Sequence, residues 1–202
     1  MKRLFDIIAS ALGLIIVSPL LLIVALWVKI DSKGPVIFKQ KRVGRYNQDF
    51  LLYKFRSMTN QNWGGEQLIT IGNHDPRVTK VGYFIRKYKI DELPQLFNVL
   101  KGDMSIVGPR PLVRQQVELY PELYAKLLTV RPGITCEASI IYSDEDELLA
   151  KADDPEKYFA EVLMPEKIRL NTHYVENRSF WLDMKLIFHT FHSCPRKKHR
   201  KT

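Results

Sequence analysis

The sequence is poor in the residues that form disulfides and metal centres. Its 202 residues include two cysteines and five histidines. Cys136 and Cys194 lie far apart and match no zinc-ligand or redox spacing, and no two histidines stand at a metal-ligand spacing. These scarcities argue against a zinc centre or a disulfide framework and favour a reducing compartment with free thiols. Internal repeats and low-complexity linkers are also missing, so one domain is expected beyond any membrane anchor.

Charge is missing from a long stretch near the start of the chain. Residues 7–28 contain no charged side chain. A straight helix over residues 4–28 would be roughly 37 Å long, enough for a hydrocarbon core of about 30 Å. Pro19 interrupts this stretch because it has no N–H group, and the Ser18 hydroxyl can bond to the backbone that it frees. A kinked membrane helix is therefore predicted.

Basic residues flank this apolar stretch on both sides. Lys2 and Arg3 precede it, and Lys29 and Lys33 follow it. Lysine and arginine favour the cytoplasmic side of a membrane, so a simple span would leave one basic end on the wrong side. A re-entrant helix would keep both ends inside, and the residues alone leave both topologies open. A cleaved signal peptide is disfavoured because no small-x-small cleavage site follows the stretch.

The overall charge is basic, with 31 Lys and Arg against 22 Asp and Glu and a net charge of +9. Five basic residues crowd into residues 196–201. Such a tail is either solvated or held by anionic lipid. Nucleic acid is the usual rival partner for a basic protein, but no recognition motif for it is present, so no nucleic-acid partner is predicted.

Two adjacent carboxylates stand at a predicted helix start. Asp91 fits the N-cap position, with Glu92 and Pro94 in the first turn and Gly102 as the C-terminal stop. Carboxylates at a helix N-terminus stay ionised, and the site attracts phosphate and can share a divalent cation. A simple helix cap is the structural alternative. The apolar positions of this helix repeat at helical spacing: Leu93, Leu96, Phe97 and Leu100.

Rigid or aligned basic residues lie on both sides of this pair. Arg110 stands between two prolines, which stiffen its loop, and its planar fork of donors suits phosphate oxygens. In residues 53–56 aromatic and basic side chains alternate as in a half-buried strand, so Lys54 and Arg56 are predicted on one face. That face suits a diphosphate, although a solvated strand face explains the pattern equally well.

The C-terminal third contains an acidic run, residues 144–147, which is more typical of an exposed helix start than of a metal site. Asp154 and Pro155 predict another helix start. A last predicted helix carries an aromatic and apolar stripe, which either covers a core or lies in the headgroup plane of a membrane. The stripe consists of Phe180, Trp181, Met184, Ile187, Phe188 and Phe191, with Asp183, Lys185 and His189 outside it.

Residues 89–111 closely resemble the bacterial sugar transferases called monotopic phosphoglycosyl transferases. Shorter matches at residues 53–58, 131–135 and 179–185, and Ser18-Pro19 in the apolar stretch, extend the resemblance over nearly the whole chain. It implies an α+β, mostly helical fold with interfacial amphipathic helices. The implied parts are a re-entrant membrane helix at 1–33, a cytoplasmic catalytic domain at 34–192 and a basic tail at 193–202. The resemblance also implies the cytoplasmic face of the bacterial inner membrane, with both termini cytoplasmic.

The same resemblance implies transfer of a phospho-sugar from a UDP-sugar to polyprenol (undecaprenyl) phosphate, with release of UMP, as the first membrane step of surface glycan assembly. Asp91 would be the nucleophile that forms an aspartyl phospho-sugar intermediate, and Asp91 and Glu92 would hold Mg²⁺. Membrane lipids are further expected partners, and homo-oligomerisation is left open. The residues expected to hold phosphate oxygens are Lys54, Arg56, Arg86, Arg110 and Arg131.

Departures from the family pattern leave the carboxylate pair intact but leave the donor sugar unspecified. Residues 136–139 replace a glycine and a Trp-Gln or Ala-Gln pair that many members have, and Asn171 replaces an aspartate. Two other functions stay open on the residues alone. A membrane-anchored phosphohydrolase would release free sugar phosphate, and a lipid-binding scaffold would bind liposomes without consuming nucleotide sugar.

Overall fold

The computed structural model describes residues 1–59, 77–143 and 145–193. This part of the chain is mostly helical and holds two small two-stranded sheets, which confirms the α+β class. Asp144, Cys194 and the basic residues of the tail lie outside the described residues. The elements are α1 (Lys2–Asp31), β1 (Ile37–Val43), β2 (Asp49–Phe55), α2 (Lys80–Lys87), α3 (Gln95–Lys101), β3 (Ser105–Val107), α4 (Arg114–Leu119), α5 (Pro121–Ala125), β4 (Gly133–Thr135), α6 (Glu137–Ile141), α7 (Glu145–Lys151), α8 (Pro155–Tyr158), α9 (Met164–Asn177) and α10 (Phe180–Ser193).

Helix α1 runs for 30 residues and continues through Pro19. The Ser18 hydroxyl donates to the Ile15 carbonyl at 2.8 Å, and that carbonyl is the one that Pro19 cannot serve. The predicted backbone repair by Ser18 is thus confirmed. Within the described residues, α1 is the one helix long and apolar enough to cross a membrane, and only four of its 30 residues are buried.

The N-terminal end of α1 is fastened to the rest of the protein by charge. The Lys2 ammonium lies 2.5 Å from the Asp183 carboxylate of α10. The buried Asp6 carboxylate accepts from the Ser105 hydroxyl at 2.8 Å and from the Ile106 amide at 3.1 Å, both on β3. Because these groups are shielded from water, their hydrogen bonds fix this end of the helix firmly.

The C-terminal end of α1 contacts the same body at a different place. The Arg56 guanidinium, which is buried, donates to the Val28 carbonyl at 3.1 Å and to the Ser32 carbonyl at 2.6 Å. The Asp31 carboxylate accepts from the Val81 amide at the start of α2, at 3.3 Å. Both ends of α1 therefore bind one body, while the middle of the helix is largely exposed. The apolar cluster at this end comprises Val24, Val28, Phe55, Val81 and Ile85.

Strands β1 and β2 form an antiparallel hairpin. The connecting turn is at Arg45–Asn47, and Tyr46 and Asn47 take positive φ angles of 59° and 61°. Directly opposed residues share a face of the hairpin. The register pairs Phe38 with Lys54, Gln40 with Leu52 and Arg42 with Phe50, so these six side chains lie on one face.

Helix α3 differs from its prediction at its start. It begins at Gln95 with Pro94 as its N-cap, and Asp91 lies in a preceding 3-10 turn, Ile90–Glu92. The predicted N-cap at Asp91 is therefore wrong. The turn forms because Lys89 reverses the chain after α2, with a left-handed φ of 56°. The predicted stop at Gly102 is confirmed, with a left-handed φ of 97°.

The apolar stripe of α3 is not the most buried side of the helix. Phe97, in the predicted apolar stripe, is 49% exposed, whereas Asn98 is fully buried. The reason is a pair of hydrogen bonds to β2: the Asn98 amide group donates to the Leu51 carbonyl at 2.7 Å and accepts from the Tyr53 amide at 3.0 Å. Binding an open strand edge requires a polar side chain, which turns the apolar side of α3 outward.

Helix α10 likewise buries a polar residue and exposes apolar ones. Asp183 is buried, and its carboxylate binds Lys2 and accepts from the Tyr174 hydroxyl at 2.6 Å. Trp181 is 80% exposed and Phe188 is 60% exposed, so core packing is the wrong alternative for these members of the stripe. The main core lies elsewhere, where α9 and α10 pack against β3; it comprises Val43, Val107, Val117, Tyr124, Leu127, Tyr174, Val175 and Leu186.

Candidate active site

Glu92 lies at the centre of the candidate site and is buried. One of its oxygens, Oε1, accepts from the Lys54 ammonium at 2.9 Å and from the Arg110 guanidinium at 2.6 Å. Burial by itself would raise the pKa of Glu92, but the charges of Arg110 and Lys54 outweigh it and hold the pKa well below the usual range. Glu92 is therefore firmly ionised and draws the end of β2 and the loop after β3 to the Ile90–Glu92 turn.

Asp91 has the opposite environment. It is buried, and its Oδ1 atom has no hydrogen-bond partner among the described residues. Burial raises the pKa of Asp91, and although Lys54 opposes the shift, the adjacent Glu92 charge adds to it. A carboxylate oxygen left without a donor costs free energy, and such orphaned groups are typical of sites where chemistry occurs.

Lys54 joins the pair from the hairpin. It is the penultimate residue of β2, and its ammonium is mostly shielded from water. Burial lowers the pKa of Lys54, and the charge of Glu92 limits that decrease. The Lys54 cation is thus bonded to Glu92 and also acts electrostatically on Asp91.

The loop that carries Arg110 is fixed by the close approach of two glycines. The Gly108 amide donates to the Thr135 carbonyl at 3.0 Å, and the Gly133 amide donates to the Pro109 carbonyl at 2.9 Å. A Cβ atom on Gly133 would lie 2.1 Å from the Gly108 nitrogen, which no packing can absorb. The segments Gly108-Pro109 and Pro132-Gly133 therefore pack backbone against backbone, and this contact directs Arg110 toward Glu92.

Arg42 is a member of the site that the sequence analysis missed. Its guanidinium donates to the Gln40 side-chain oxygen through Nε at 3.1 Å and Nη2 at 2.7 Å, and to the Pro111 carbonyl at 3.4 Å. Burial and then the charge of Arg110 lower the pKa of Arg42 to about 10. The available signal was the strand alternation, since a hairpin partner of the Lys54 strand can present cations on the same face.

The other predicted phosphate ligands are dispersed. Arg86 is close enough to Asp91 to lower its pKa electrostatically. Arg56 instead caps the end of α1, and Arg131 donates through Nε to the Gly102 carbonyl at 2.8 Å. Lys54, Arg110 and Arg86 thus surround the carboxylate pair, while Arg56 and Arg131 are engaged with backbone carbonyls. A phosphate role for those two stays a prediction.

The side chains of the site can be examined as ligands for a divalent cation. Among the described residues, no group of three or more His, Cys, Asp or Glu side chains could hold a metal. Asp91 fits Mg²⁺, because its unpartnered oxygen is a hard ligand, whereas one Glu92 oxygen already binds two cations. Mg²⁺ characteristically takes one or two carboxylates and completes its shell with phosphates and water, so the pair suits that mode.

Comparison with known proteins finds matches over almost the whole chain. A family model for bacterial sugar transferases matches residues 1–197. The UDP-N-acetylgalactosamine-undecaprenyl-phosphate N-acetylgalactosaminephosphotransferase of Aeromonas hydrophila is 44% identical over 94% of the chain and 42% of its own length. The UDP-glucose:undecaprenyl-phosphate glucose-1-phosphate transferase of Klebsiella pneumoniae is also 44% identical, over 94% of the chain and 39% of its own length.

The chain thus spans about two fifths of the length of these two relatives. A relative of similar size is the exopolysaccharide production protein PSS of Rhizobium leguminosarum bv. phaseoli. It is 40% identical, and the match covers 94% of the chain and 92% of PSS. Similarity therefore extends over almost the whole of both proteins in that case.

The contrast between the two carboxylates predicts opposite effects on stability. Glu92→Gln leaves Lys54 and Arg110 without their shared counter-charge, so the free energy of unfolding should fall by about 2 kcal/mol. Asp91→Asn removes a buried charge that has one unpartnered oxygen, so stability should be unchanged or higher. Thermal denaturation of the detergent-solubilised variants measures both. An equal loss in the two variants would contradict the assigned environments.

Proposed function

The chain belongs to the bacterial sugar transferase family, and from this premise we propose that it transfers a phospho-sugar from a UDP-sugar to polyprenol phosphate, giving polyprenyl diphosphate sugar and UMP. Undecaprenyl phosphate is the acceptor named for the Aeromonas and Klebsiella relatives. The observation that carries the proposal is the buried Asp91–Glu92 pair, in which one carboxylate is neutralised by Lys54 and Arg110 and the other has an unpartnered oxygen.

Asp91 is the proposed nucleophile. Its carboxylate oxygen attacks the sugar-bearing phosphorus, the bond from that phosphorus to the UMP oxygen breaks, and UMP leaves. A phosphate oxygen of the polyprenol phosphate then attacks the same phosphorus and frees Asp91. Two transfers at one phosphorus split a difficult reaction into two easier ones. The unpartnered oxygen and the raised pKa of Asp91 support this role, because a carboxylate that water and donors do not hold is more basic.

Glu92 has a supporting electrostatic role in this proposal. By holding Lys54 and Arg110 at 2.9 and 2.6 Å, it keeps two cations at the carboxylate pair before any substrate arrives. Phosphoryl transfer depends mainly on positioning and on charge stabilisation at the phosphate oxygens, so cations that need no rearrangement lower the barrier. Mg²⁺, held by Asp91 and Glu92, would neutralise diphosphate charge when bound.

The proposed location is the cytoplasmic face of the membrane, with α1 entering and leaving the same leaflet. Two features support this topology: both ends of α1 bind one body, and apolar side chains are exposed on several elements beside it. Exposed apolar surface of this extent is typical of a membrane contact. The exposed residues include Ile15, Ile16, Leu22, Ile23, Trp27, Phe84, Phe97, Trp181 and Phe188.

The sugar is best sought experimentally, since the two relatives at 44% identity act on different sugars. The percentage of sequence identity to these relatives therefore does not indicate whether the donor sugar is N-acetylgalactosamine, glucose or another sugar. An assay of UMP release over a panel of UDP-sugars identifies the donor, and analysis of the lipid product separates transfer from hydrolysis. Free sugar phosphate in place of a lipid-linked diphosphate would indicate a phosphohydrolase.

The covalent intermediate is tested by trapping. Incubation with a UDP-sugar in the absence of polyprenol phosphate should add the mass of one phospho-sugar to the peptide that contains Asp91. Mass spectrometry of the digested protein measures this increment, and added acceptor should remove it. The Asp91→Asn variant should give neither the increment nor UMP release, because an amide is not a nucleophile here.

The matched control for this experiment is Asp49→Asn. Asp49 is exposed at the start of β2 and pairs with Arg114, away from the carboxylate pair. It should retain both UMP release and the increment. Normal turnover by Asp91→Asn, or a wild-type enzyme that turns over without a labelled peptide, would eliminate Asp91 as the nucleophile.

The environment of Asp91 also predicts a pH dependence. Only the ionised carboxylate attacks, and burial raises its pKa, so kcat/KM should rise with pH through a midpoint above the ordinary value of about 3.9. Glu92 stays ionised throughout that range because its pKa is lowered. Rates of UMP release between pH 4 and 8 measure the profile, with return to neutral pH as the check on reversibility. A rate constant flat down to about pH 4 would refute the assignment.

Cysteine labelling tests the topology of α1. In a background with serine at positions 136 and 194, a cysteine inserted after Met1 and a separate Lys33→Cys variant should both react only from the cytoplasmic side. Lys33 is exposed just beyond the end of α1, so the label can reach it. Labelling of the two positions from opposite sides in spheroplasts would show a simple transmembrane span.

A further inference from the structure

Arg42 occupies the face of the β1–β2 hairpin that carries Lys54. The register opposes Phe38 to Lys54 and Arg42 to Phe50, so Arg42 lies on the same face, four residues along β1 from the partner of Lys54. Arg110 is its charged neighbour from the loop after β3. Cations from two strands and one loop therefore line one edge of the candidate active site.

Gln40 holds the Arg42 guanidinium in a fixed orientation. Its side-chain oxygen accepts from both Nε and Nη2, and the Pro111 carbonyl accepts from Nη1. These contacts engage three of the five N–H groups of an arginine with described residues, so one N–H on each terminal nitrogen is left for another acceptor. All three contacts go to neutral acceptors, so none of them neutralises the arginine charge.

Positive charge is in excess around Arg42. Among the described residues, no carboxylate lies within 4.0 Å of Arg42, and the nearest firmly ionised one, Glu92, is bonded to Lys54 and Arg110. Three cations thus surround Glu92 and an Asp91 whose burial disfavours its charge. Neighbouring like charges in a partly buried site repel each other unless an anion lies between them.

We propose that Arg42, oriented by Gln40, binds a phosphate group together with Arg110 at the candidate active site. This assignment rests on the proposed function. Two forked donors are suited to non-bridging phosphate oxygens, and a fixed fork loses little side-chain entropy on binding. The phosphate belongs either to the nucleotide diphosphate, which contains the reacting phosphorus, or to the polyprenol phosphate, which must reach that phosphorus.

The test is binding of UDP and of inorganic pyrophosphate to the full-length, detergent-solubilised protein, measured by isothermal titration calorimetry. Arg42→Gln should raise the Kd for both ligands roughly tenfold or more, as loss of a charged hydrogen-bond pair does. Arg42→Lys should be intermediate, because it keeps the charge and loses the fork. Gln40→Ala, which keeps Arg42 but removes its orienting acceptor, should weaken binding in the same direction.

Lys41→Gln is the matched control. Lys41 is the neighbouring residue on β1 and is exposed on the opposite face of the hairpin. Its replacement by glutamine removes the same unit of charge. Its Kd values should change less than about twofold, because distant surface charges are screened. Equal effects of Arg42→Gln and Lys41→Gln would overturn the inference. If Arg42→Gln fails to fold, the comparison of Gln40→Ala with Lys41→Gln decides in the same way.

Steady-state kinetics assign the phosphate to its source. A KM for the UDP-sugar raised by Arg42→Gln places the donor diphosphate at Arg42, and a KM raised only for polyprenol phosphate places the acceptor there. Unchanged Kd and KM values for every ligand overturn the proposal. A wild-type protein that binds pyrophosphate through Arg42 yet releases no UMP from any UDP-sugar would refute the proposed function and leave the anion site standing.

Discussion

The carboxylate of Glu92 is the point at which three separate segments of the chain meet. Lys54 reaches it from β2 and Arg110 from the loop after β3, while Glu92 itself belongs to the turn before α3. Removing Glu92 would leave two neighbouring cations without their shared counter-charge, and one of them, Lys54, is mostly shielded from water. The same contacts that assemble the site therefore also hold the hairpin, the turn and the loop in register.

Neutralising Glu92 has a consequence for its neighbour. Lys54 and Arg110 are committed to Glu92, so the buried Asp91 next to it carries an oxygen without a donor. Adjacent carboxylates with divergent pKa directions are a recurrent arrangement in sites where one group structures the pocket and the other reacts. Burying Asp91 with an unpartnered oxygen costs stability, and under the proposed function that cost accompanies reactivity, a trade-off common in enzymes.

Site residues could be predicted from the sequence where a local motif marks them. They could not be predicted where contacts between distant segments determine the position of a side chain. Asp91, Lys54 and Arg110 were expected from a helix-start pattern, strand alternation and a proline-bracketed loop, and the structure brings all three together. Arg56 was expected beside Lys54, but its guanidinium bonds to the open carbonyls at the end of α1, which no pattern near residue 56 indicates. Arg42 was overlooked because its position depends on the pairing register of β1 with β2.

Periodicity found the apolar faces of α3 and α10 but did not decide which way they point. Phe97 and Trp181 point outward, while Asn98 and Asp183 are buried, because each polar group bonds to another segment of the protein. The usual rule assumes water outside; with lipid on that side, outward apolar faces obey the same physics of burial. A simple span of α1 would carry one of its two polar ends away from its partners, of which Asp183 and Arg56 are buried. The proposed re-entrant path would let the apolar middle of α1 enter lipid while Lys2 and the Arg56 cap stay bound.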